Sequence, residues 1–275
     1  MPIFKRVAIV GVGLIGGSLG LAIKGKKIAG KVIGVSRHQR TINFARKIGA
    51  IDEGSLELKA VKDADLLILA APIETILKLS GQLSKLIKKD CIVTDVASTK
   101  KEIVSKLEKV FPNFVGAHPL AGSEKRGIDF AKKGLFNGSL CIITATGNTS
   151  LKAKNKVTFL WRKLGCRIST LSASEHDRIM AFVSHLPHII AFSLIGAVPQ
   201  KYLGFSASGL RDTTRIASSD ALLWAEILLS NSNCPQAIEA FEKNLKQIKI
   251  AIKNKDRQVL AHLLESARRK RETIQ

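Results

Sequence analysis

The segment at residues 11–16, GVGLIG, constrains this chain most strongly, because it lies between a short apolar run and an apolar segment with helical spacing. The run at 6–10 predicts a buried strand, and the segment at 14–24 predicts a helix. Gly11 permits a tight turn, Gly13 lets a pyrophosphate approach the backbone, and Gly16 lets the helix pack closely on the strand. The pattern predicts a dinucleotide-binding strand, turn and helix, and a purely structural glycine turn is the alternative.

The cofactor-binding prediction extends to Leu14 and Ile15, which begin the helix whose amino terminus attracts phosphate groups. A second predicted strand at 31–35 ends in Ser36 and Arg37, where an acidic residue would bind an unmodified ribose 2′-hydroxyl. Ser36 can donate a hydrogen bond and Arg37 can neutralise a 2′-phosphate, so we expect NADP rather than NAD. The alternative is that Arg37 stacks on the adenine or faces solvent.

The order of the predicted elements indicates a sheet with helices on both faces. Predicted helices at 39–47, 73–87, 100–110 and 151–164 alternate with predicted strands at 66–70, 91–94, 114–117, 140–144 and 166–169. Such repeated units are typical of a doubly wound, mostly parallel α/β Rossmann fold. We therefore predict a dinucleotide-binding Rossmann domain at 1–170.

His118 follows one of these predicted strands directly and precedes a glycine-rich polar segment. Histidine takes up a proton near neutral pH, and the carboxyl ends of the strands in open α/β sheets are where ligands bind. We therefore predict that His118 is a catalytic base. A histidine before a proline can also be a turn residue that only ends the strand.

Two further strand ends should reach the same edge of the sheet. Ala71 and Pro72 follow the third predicted strand and are candidates for cofactor contact, and Ser98 follows the fourth. Ser98 can form a hydrogen bond with the base or the nicotinamide, or it can cap the helix predicted from residue 100.

Beyond residue 172 the strand patterns stop, and helices are predicted at 173–198, 221–229, 235–253 and 257–271. We therefore predict an all-helical domain at 171–275. Its first helix is apolar but contains Pro187 between His185 and His188. A proline and two histidines in an apolar helix usually indicate a functional site or a kink. His185 taken alone fits a buried, hydrogen-bonded histidine. No Asp, Glu or Cys joins the two histidines at metal-ligand spacing, so we expect no metal.

The net charge of +22 is concentrated in the first domain, where residues 1–170 hold 30 Lys and Arg against 12 Asp and Glu. Because the basic residues are scattered and aromatic residues make up 5% of the chain, we expect no nucleic-acid partner but attraction of small anions. The four cysteines lie far apart, which favours neither a disulfide framework nor a zinc site. We find no signal peptide and no apolar segment of bilayer-spanning length, so we expect a cytoplasmic protein with no membrane partner.

Five motifs in order resemble those of the prephenate and arogenate dehydrogenases of tyrosine biosynthesis, over nearly the whole chain. They are 11–16 (GVGLIG), 94–98 (TDVAS), 116–124 (GAHPLAGSE), 184–188 (SHLPH) and 211–215 (RDTTR). The resemblance implies a Rossmann domain followed by an all-helical domain that dimerises and closes the substrate cleft. It also implies oxidative decarboxylation of the anion prephenate to 4-hydroxyphenylpyruvate with NADP or NAD. The alternative substrate is arogenate, which would give tyrosine.

By motif match, His118 would take the substrate's hydroxyl proton, Ser98 would orient it, and Arg215 would bind a substrate carboxylate. The other residues expected in the substrate pocket are Ser123, Glu124, His185, His188 and Arg211. His188 favours prephenate, whereas Glu124 would favour the ammonium group of arogenate if its charge is not already paired with Lys125 or Arg126.

The sequence departs from the family pattern at Ser36 and Arg37, which replace the acidic residue of members that use NAD. The chain also ends soon after its last predicted helix, so we expect no regulatory module and no fused mutase domain. One rival interpretation is a non-catalytic NADPH-binding regulator with the same fold. Another is a β-hydroxyacid dehydrogenase or imine reductase, although those enzymes typically use a lysine of the helical domain.

Overall fold

A computed structural model describes residues 2–274 of the chain, which divide into two compact units, one ending at Asn231 and one beginning at Ser232. The described part of the first unit contains one eight-stranded sheet. Its strands are β1 (Phe4–Val10), β2 (Ala29–Val35), β3 (Glu53–Ser55), β4 (Leu66–Leu69), β5 (Ile92–Asp95), β6 (Phe114–Pro119), β7 (Leu140–Thr144) and β8 (Arg167–Leu171).

The strands lie in the spatial order β3-β2-β1-β4-β5-β6-β7-β8, which is the strand order of a doubly wound nucleotide-binding sheet with two strands added at one edge. Every neighbouring pair is parallel except β6 and β7. The predicted Rossmann fold with a mostly parallel sheet is therefore confirmed. The short strand β3 was missed, because its sequence Glu-Gly-Ser contains no apolar run.

Helices cover both faces of this sheet. They are α1 (Leu14–Gly25), α2 (Gln39–Lys47), α3 (Ile73–Leu86), α4 (Lys101–Val110) and α5 (Leu151–Leu164). On one face Val7 and Ile9 of β1 pack in a cluster with residues of α1, α2 and α5. On the other face Ala8 and Val10 pack with residues of α3 and α4. The alternating residues of each buried strand thus hold two separate hydrophobic layers together.

The rest of the first unit is helical. It contains α6 (Ala173–Met180), a π-helical segment (Ala181–His185), α7 (Leu186–Ala197), α8 (Ser208–Thr214) and α9 (Ala221–Ser230). The interruption predicted near Pro187 is a local widening of the helix and not a break, because proline lacks an N–H and its ring crowds the carbonyl four residues earlier. Helix α8 was not predicted, since its polar sequence lies between two predicted helices.

The expectation about bilayer-spanning length was wrong for the helix at Ala173–Ala197. The helix is continuous over 25 residues, and its most apolar 18-residue window has a mean hydropathy of 1.7, which is long and apolar enough to cross a membrane. Only 22% of its most apolar window is buried within this chain. The apolar surface of a helix that packs against another protein passes the same test, so the finding is weak evidence for a membrane.

The described part of the second unit consists of α10 (Cys234–Lys253) and α11 (Arg257–Glu272), which pack against each other. Asp256 caps α11, since its carboxylate accepts a hydrogen bond from the Val259 N–H at 3.0 Å. The basic residues 269–271 lie in the last turn of α11, where cations are favoured by the helix dipole.

Candidate active site

The glycine turn between β1 and α1 is required by packing at two of its positions. Gly11 has a φ of +96°, and a Cβ added to it would lie 2.4 Å from the Ala70 carbonyl oxygen. A Cβ added to Gly16 would lie 2.1 Å from the Gly11 carbonyl oxygen. By contrast, no protein atom lies within 4 Å of a Cβ added to Gly13. The turn is therefore tightly packed at Gly11 and Gly16 and open at Gly13, and a backbone that binds a pyrophosphate needs such an open position.

Two predicted cofactor residues, Ala71 and Pro72, lie beside this turn. Ala71 follows the carbonyl that crowds Gly11, and Pro72 stands at the amino-terminal cap of α3. Because β1 and β4 are parallel neighbours, their carboxyl ends and the residues that follow meet at one edge of the sheet.

Ser36 and Arg37 leave the carboxyl end of β2. The backbone N–H of Ser36 donates to the Ser55 carbonyl at 3.2 Å, and its hydroxyl oxygen accepts from the His38 N–H at 3.3 Å. Arg37 is exposed, and within residues 2–274 its side chain makes no ion pair and no hydrogen bond. The guanidinium group is therefore available to an anionic ligand.

A buried ion pair fixes the ends of β5 and β6. The Asp95 carboxylate pairs with the Lys100 ammonium group, and both side chains are fully buried. Asp95 also accepts hydrogen bonds from the Ala97 N–H at 2.9 Å and from the Ala117 N–H at 3.1 Å. Since Ala117 precedes His118, the satisfied carboxylate sets the position of the candidate base.

His118 belongs to a hydrogen-bonded chain that crosses from β6 to α6. Its Nδ1 atom lies 2.8 Å from Nε2 of His176, and Nδ1 of His176 lies 2.8 Å from Oδ1 of Asp177. The Asp177 carboxylate also accepts from the backbone N–H groups of Lys100 at 2.7 Å and Lys101 at 2.9 Å. Asp177 thus caps α4. Capping this helix was one of the two roles predicted for Ser98.

Burial and the neighbouring charges keep His118 neutral. Burial lowers the pKa of His118 well below its usual value, and the neighbouring His176 and Lys100 lower it further. Burial also lowers the pKa of His176, although its hydrogen bond to Asp177 opposes that shift. Burial alone would raise the pKa of Asp177, but the hydrogen bonds from His176 and from the α4 backbone outweigh it and hold the pKa below its usual value.

The second ring nitrogen of His118, Nε2, has no hydrogen-bond partner in the part of the chain that the structure describes. His118 retains 9% of its surface exposed, and Nε2 is not one of the fully enclosed polar atoms of the described residues. Ser98 lies nearby in the sequence after β5, is partly buried, and forms no side-chain hydrogen bond to the described residues. Its predicted role beside the base stays a prediction.

His185 and His188 lie where the π-helical segment meets α7. His188 Nδ1 donates to the Ser184 carbonyl at 2.9 Å, and its ring stacks on Trp224 of α9. Nδ1 of His185 lies 3.0 Å from the Asn231 side-chain nitrogen. Burial lowers the pKa of His185 to about 4. Burial also lowers the pKa of His188, an effect opposed by the Ser184 hydrogen bond and reinforced by the nearby Arg215.

Arg215, which lies near His188, faces Glu124 with 3.6 Å between the guanidinium and carboxylate groups. Both side chains are partly exposed, so the pair contributes little to stability. Arg126 pairs with Asp220, at 2.5 Å, and not with Glu124. Ser123 lies next to Glu124 with its hydroxyl 3.5 Å from the carboxylate, and Arg211 is exposed on α8.

Sequence reasoning missed four residues of this region: His176, Asp177, Trp224 and Asn231. Each lies on a helix or at a helix end where the local pattern predicts only helical structure. The adjacent pair His176 and Asp177 was the one usable signal, since two ionisable residues buried in an amphipathic helix need partners.

Comparison with known proteins agrees with this architecture. Residues 19–170 match the family described as prephenate dehydrogenase, nucleotide-binding domain, and residues 172–266 match prephenate dehydrogenase, dimerization domain. A prephenate dehydrogenase of Lactococcus lactis is 34% identical over 98% of this chain and 78% of its own length.

Two solved structures are also similar. The prephenate dehydrogenase from A. aeolicus in complex with hydroxyphenyl propionate and NAD+ has a TM-score of 0.93, 34% identity and 98% coverage of both chains. The arogenate dehydrogenase from Synechocystis has a TM-score of 0.84 and 29% identity, covering 97% of this chain and 99% of its own. With both parts matched in order and the sheet, glycine turn and buried histidine in place, the chain belongs to the prephenate dehydrogenase family.

Proposed function

We propose that this protein oxidises and decarboxylates prephenate to 4-hydroxyphenylpyruvate in tyrosine biosynthesis, using NAD or NADP. The observation that carries the proposal is His118, a buried neutral histidine at the carboxyl edge of the nucleotide-binding sheet with one ring nitrogen open to a ligand. A base that must accept a proton near neutral pH needs this combination of a lowered pKa and an accessible lone pair.

The residues of the glycine turn fit a dinucleotide. Gly11 and Gly16 allow the turn to pack, Gly13 leaves the approach to the backbone open, and Leu14 and Ile15 begin a helix whose amino terminus favours phosphate. When bound, the cofactor supplies a hydride acceptor. Ala71 and Pro72 would border it on the side of β4.

We infer a preference for NADP over NAD, with NAD as the alternative. Ser36 and Arg37 stand at the end of β2, where the adenosine ribose lies in this fold, and the Arg37 guanidinium has no competing partner in the described chain. A 2′-phosphate carries about two negative charges that an arginine can pair with in bidentate fashion.

The reaction needs few protein groups, because aromatisation of the ring drives it. The ring carbon that carries the hydroxyl group loses its hydrogen as hydride, while the hydroxyl proton passes to Nε2 of His118. The bond to the ring carboxylate breaks, CO2 leaves, and its electron pair enters the ring. The ring oxygen then takes the proton back from His118. The protein holds the substrate in place and moves one proton.

We infer that residues of the helices and of the strand ends anchor the substrate together. Arg215 would keep its pairing with Glu124 and bind a substrate carboxylate through its remaining N–H donors, and Ser98 would form a hydrogen bond to the reacting hydroxyl. We assign the remaining pocket positions to Ser123, His185, His188 and Arg211. Attraction of a dianion by this strongly basic chain assists the encounter.

We favour prephenate over arogenate as the substrate. Because Nδ1–H of His188 is held by the Ser184 carbonyl, the protonated ring would donate through Nε2 to the keto acid side chain of the anion prephenate. Glu124, which would favour the ammonium group of arogenate, is already paired with Arg215. Arogenate dehydrogenase activity is the second candidate, since the structure of an arogenate dehydrogenase is also similar.

We further propose a homodimer formed through the helical part of the chain. Large apolar side chains of this part are exposed, including Val183, Leu222 and Leu229. A monomer rarely exposes so many, and the matched family description names a dimerization domain. The apolar surface of the helix at Ala173–Ala197 would be covered in this way, with no membrane needed. A cytoplasmic location fits a soluble anionic substrate and cofactor.

The deciding experiment mixes the purified protein with prephenate and NADP or NAD and follows absorbance at 340 nm. Rapid reduction with prephenate supports the proposal, and reduction only with arogenate supports the second candidate. No reduction with either substrate, together with measurable NADPH binding, would indicate a non-catalytic regulator. Activity only on a β-hydroxyacid or an imine would indicate the other dehydrogenase class.

A further inference from the structure

The hydrogen bonds that join the side chains of His118, His176 and Asp177 allow only one arrangement of protons that satisfies all three. The Asp177 carboxylate is ionised and accepts three hydrogen bonds, two of them from the α4 backbone. Its third donor must therefore be the Nδ1–H of His176. A neutral histidine carries one ring proton, so Nε2 of His176 has a lone pair and accepts the Nδ1–H of His118.

The proton order also determines the state of Nε2 of His118, the last atom of this hydrogen-bonded network. A neutral His118 that donates through Nδ1 has no proton on Nε2, so this nitrogen holds the lone pair that a base requires. If the proton order were reversed, Nε2 would carry the proton and could not accept another. The network is fully buried at His176 and Asp177, so water does not compete for these hydrogen bonds.

Resting on the proposed function, we propose that His176 and Asp177 are positioning residues that hold His118 in the tautomer able to accept the substrate proton. The Asp177 carboxylate can only accept, so it determines which ring nitrogens carry protons. His176 donates to Asp177 and accepts from His118, each at 2.8 Å, and Nε2 of His118 therefore keeps its lone pair. The amino terminus of α4 keeps Asp177 an acceptor, because two backbone N–H groups point at its oxygens.

The arrangement also joins two parts of the first unit. His118 belongs to β6, and α4 packs on the same sheet, whereas His176 and Asp177 belong to α6. The Asp177 carbonyl in turn accepts a hydrogen bond from Asn231 at 2.7 Å. Displacement of α6 would therefore remove the orienting partner from the base while leaving the base itself in place.

The test compares two substitutions of the middle residue. In His176→Gln the side-chain oxygen can still accept from His118 Nδ1–H, so we expect kcat within about 10-fold of the wild type. In His176→Leu no acceptor remains, and we expect kcat to fall on the order of 10²-fold or more with KM for substrate and cofactor changed less than about 3-fold.

Asp177→Asn supplies a third variant, because the amide can donate to His176 and so reverse the proton order. Its kcat should fall as far as that of His176→Leu. Asp256→Asn is the matched control, since it removes a helix-capping carboxylate of α11; it should retain wild-type kcat. Thermal unfolding checks that each variant is folded.

Nitrogen-15 NMR of histidine-labelled protein reads the tautomer without turnover, with the His118 signals assigned by their loss in His118→Asn. We expect an unprotonated Nε2 in the wild type and in His176→Gln, and a protonated Nε2 in Asp177→Asn. Wild-type kcat and tautomer in folded His176→Leu, or equal losses in the Gln and Leu variants, would overturn the proposal. If no substrate is turned over, the proposed function fails, while the spectra still decide the tautomer.

Discussion

His188 stacks face to face on Trp224, with the ring centroids 3.5 Å apart and 21° between the ring planes. The Ser184 carbonyl fixes the same ring from its Nδ1 side at 2.9 Å. Two contacts of different kinds therefore hold the imidazole in one orientation. Nε2 has no hydrogen-bond partner among the described residues and is left to interact with a ligand, and a rigid polar group of this sort can discriminate between related substrates.

The first prediction concerns substrate choice. His188→Val removes the hydrogen-bonding group, so kcat/KM should fall more for prephenate than for arogenate, by about 10-fold in their ratio. Steady-state assays with both substrates measure this ratio. His262→Val, at an exposed position of α11, is the control. An unchanged ratio, or a wild type that strongly prefers arogenate, would reject the assignment of His188.

The second prediction concerns the base. His118→Asn should bind cofactor and substrate normally but lose about 10²- to 10⁴-fold in kcat, because no group is left to accept the hydroxyl proton. Titration of intrinsic fluorescence with NADPH verifies cofactor binding in the variant. Substantial activity in this variant would transfer the role to another residue.

The third prediction concerns the charge at the end of β2. Arg37→Asp should abolish the preference for NADP over NAD, because an aspartate repels the 2′-phosphate and accepts from the 2′-hydroxyl. Arg46→Asp makes the same charge change in the last turn of α2 and should leave the preference intact. A higher kcat/KM with NAD than with NADP in the wild type would contradict the charge argument.

The fourth prediction is the acid limb of the pH profile. Only neutral His118 can accept a proton, so kcat/KM should decline as pH falls. Because burial lowers the pKa of His118 well below 6.5, the midpoint of the decline should lie below that value. Initial rates in a series of buffers at constant ionic strength measure it. A midpoint at or above 6.5 would show that His118 is not a desolvated base.

The fifth prediction concerns stability. A buried histidine whose pKa is lowered in the folded state binds fewer protons there than in the unfolded state, so the free energy of unfolding falls as pH decreases. For His185 the window runs from about 6.5 down to about 4 and is worth on the order of 3 kcal/mol. Urea unfolding across this range should show the decline, and His185→Gln should make it shallower. A similar substitution at exposed His262 should not.

The sequence alone determined the elements whose signals are local. Helices α2 and α5 begin and end where they were predicted, and the other long helices agree within two residues, because apolar periodicity and capping act over a few neighbouring positions. The glycine turn was predicted for the same reason, since Gly11 and Gly16 are dictated by backbone contacts of adjacent elements. The assignment of His118 to a strand end also came from local pattern.

Only the tertiary structure decided which side chains meet. His118 and His176 are 58 positions apart, and Glu124 contacts Arg215 although Lys125 and Arg126 lie beside it in sequence. The cap of α4 comes from Asp177 and not from Ser98, and Trp224 reaches His188 from another helix. Periodicity specifies which face of a helix is buried but not which residue it is buried against, since that depends on the packing of whole elements.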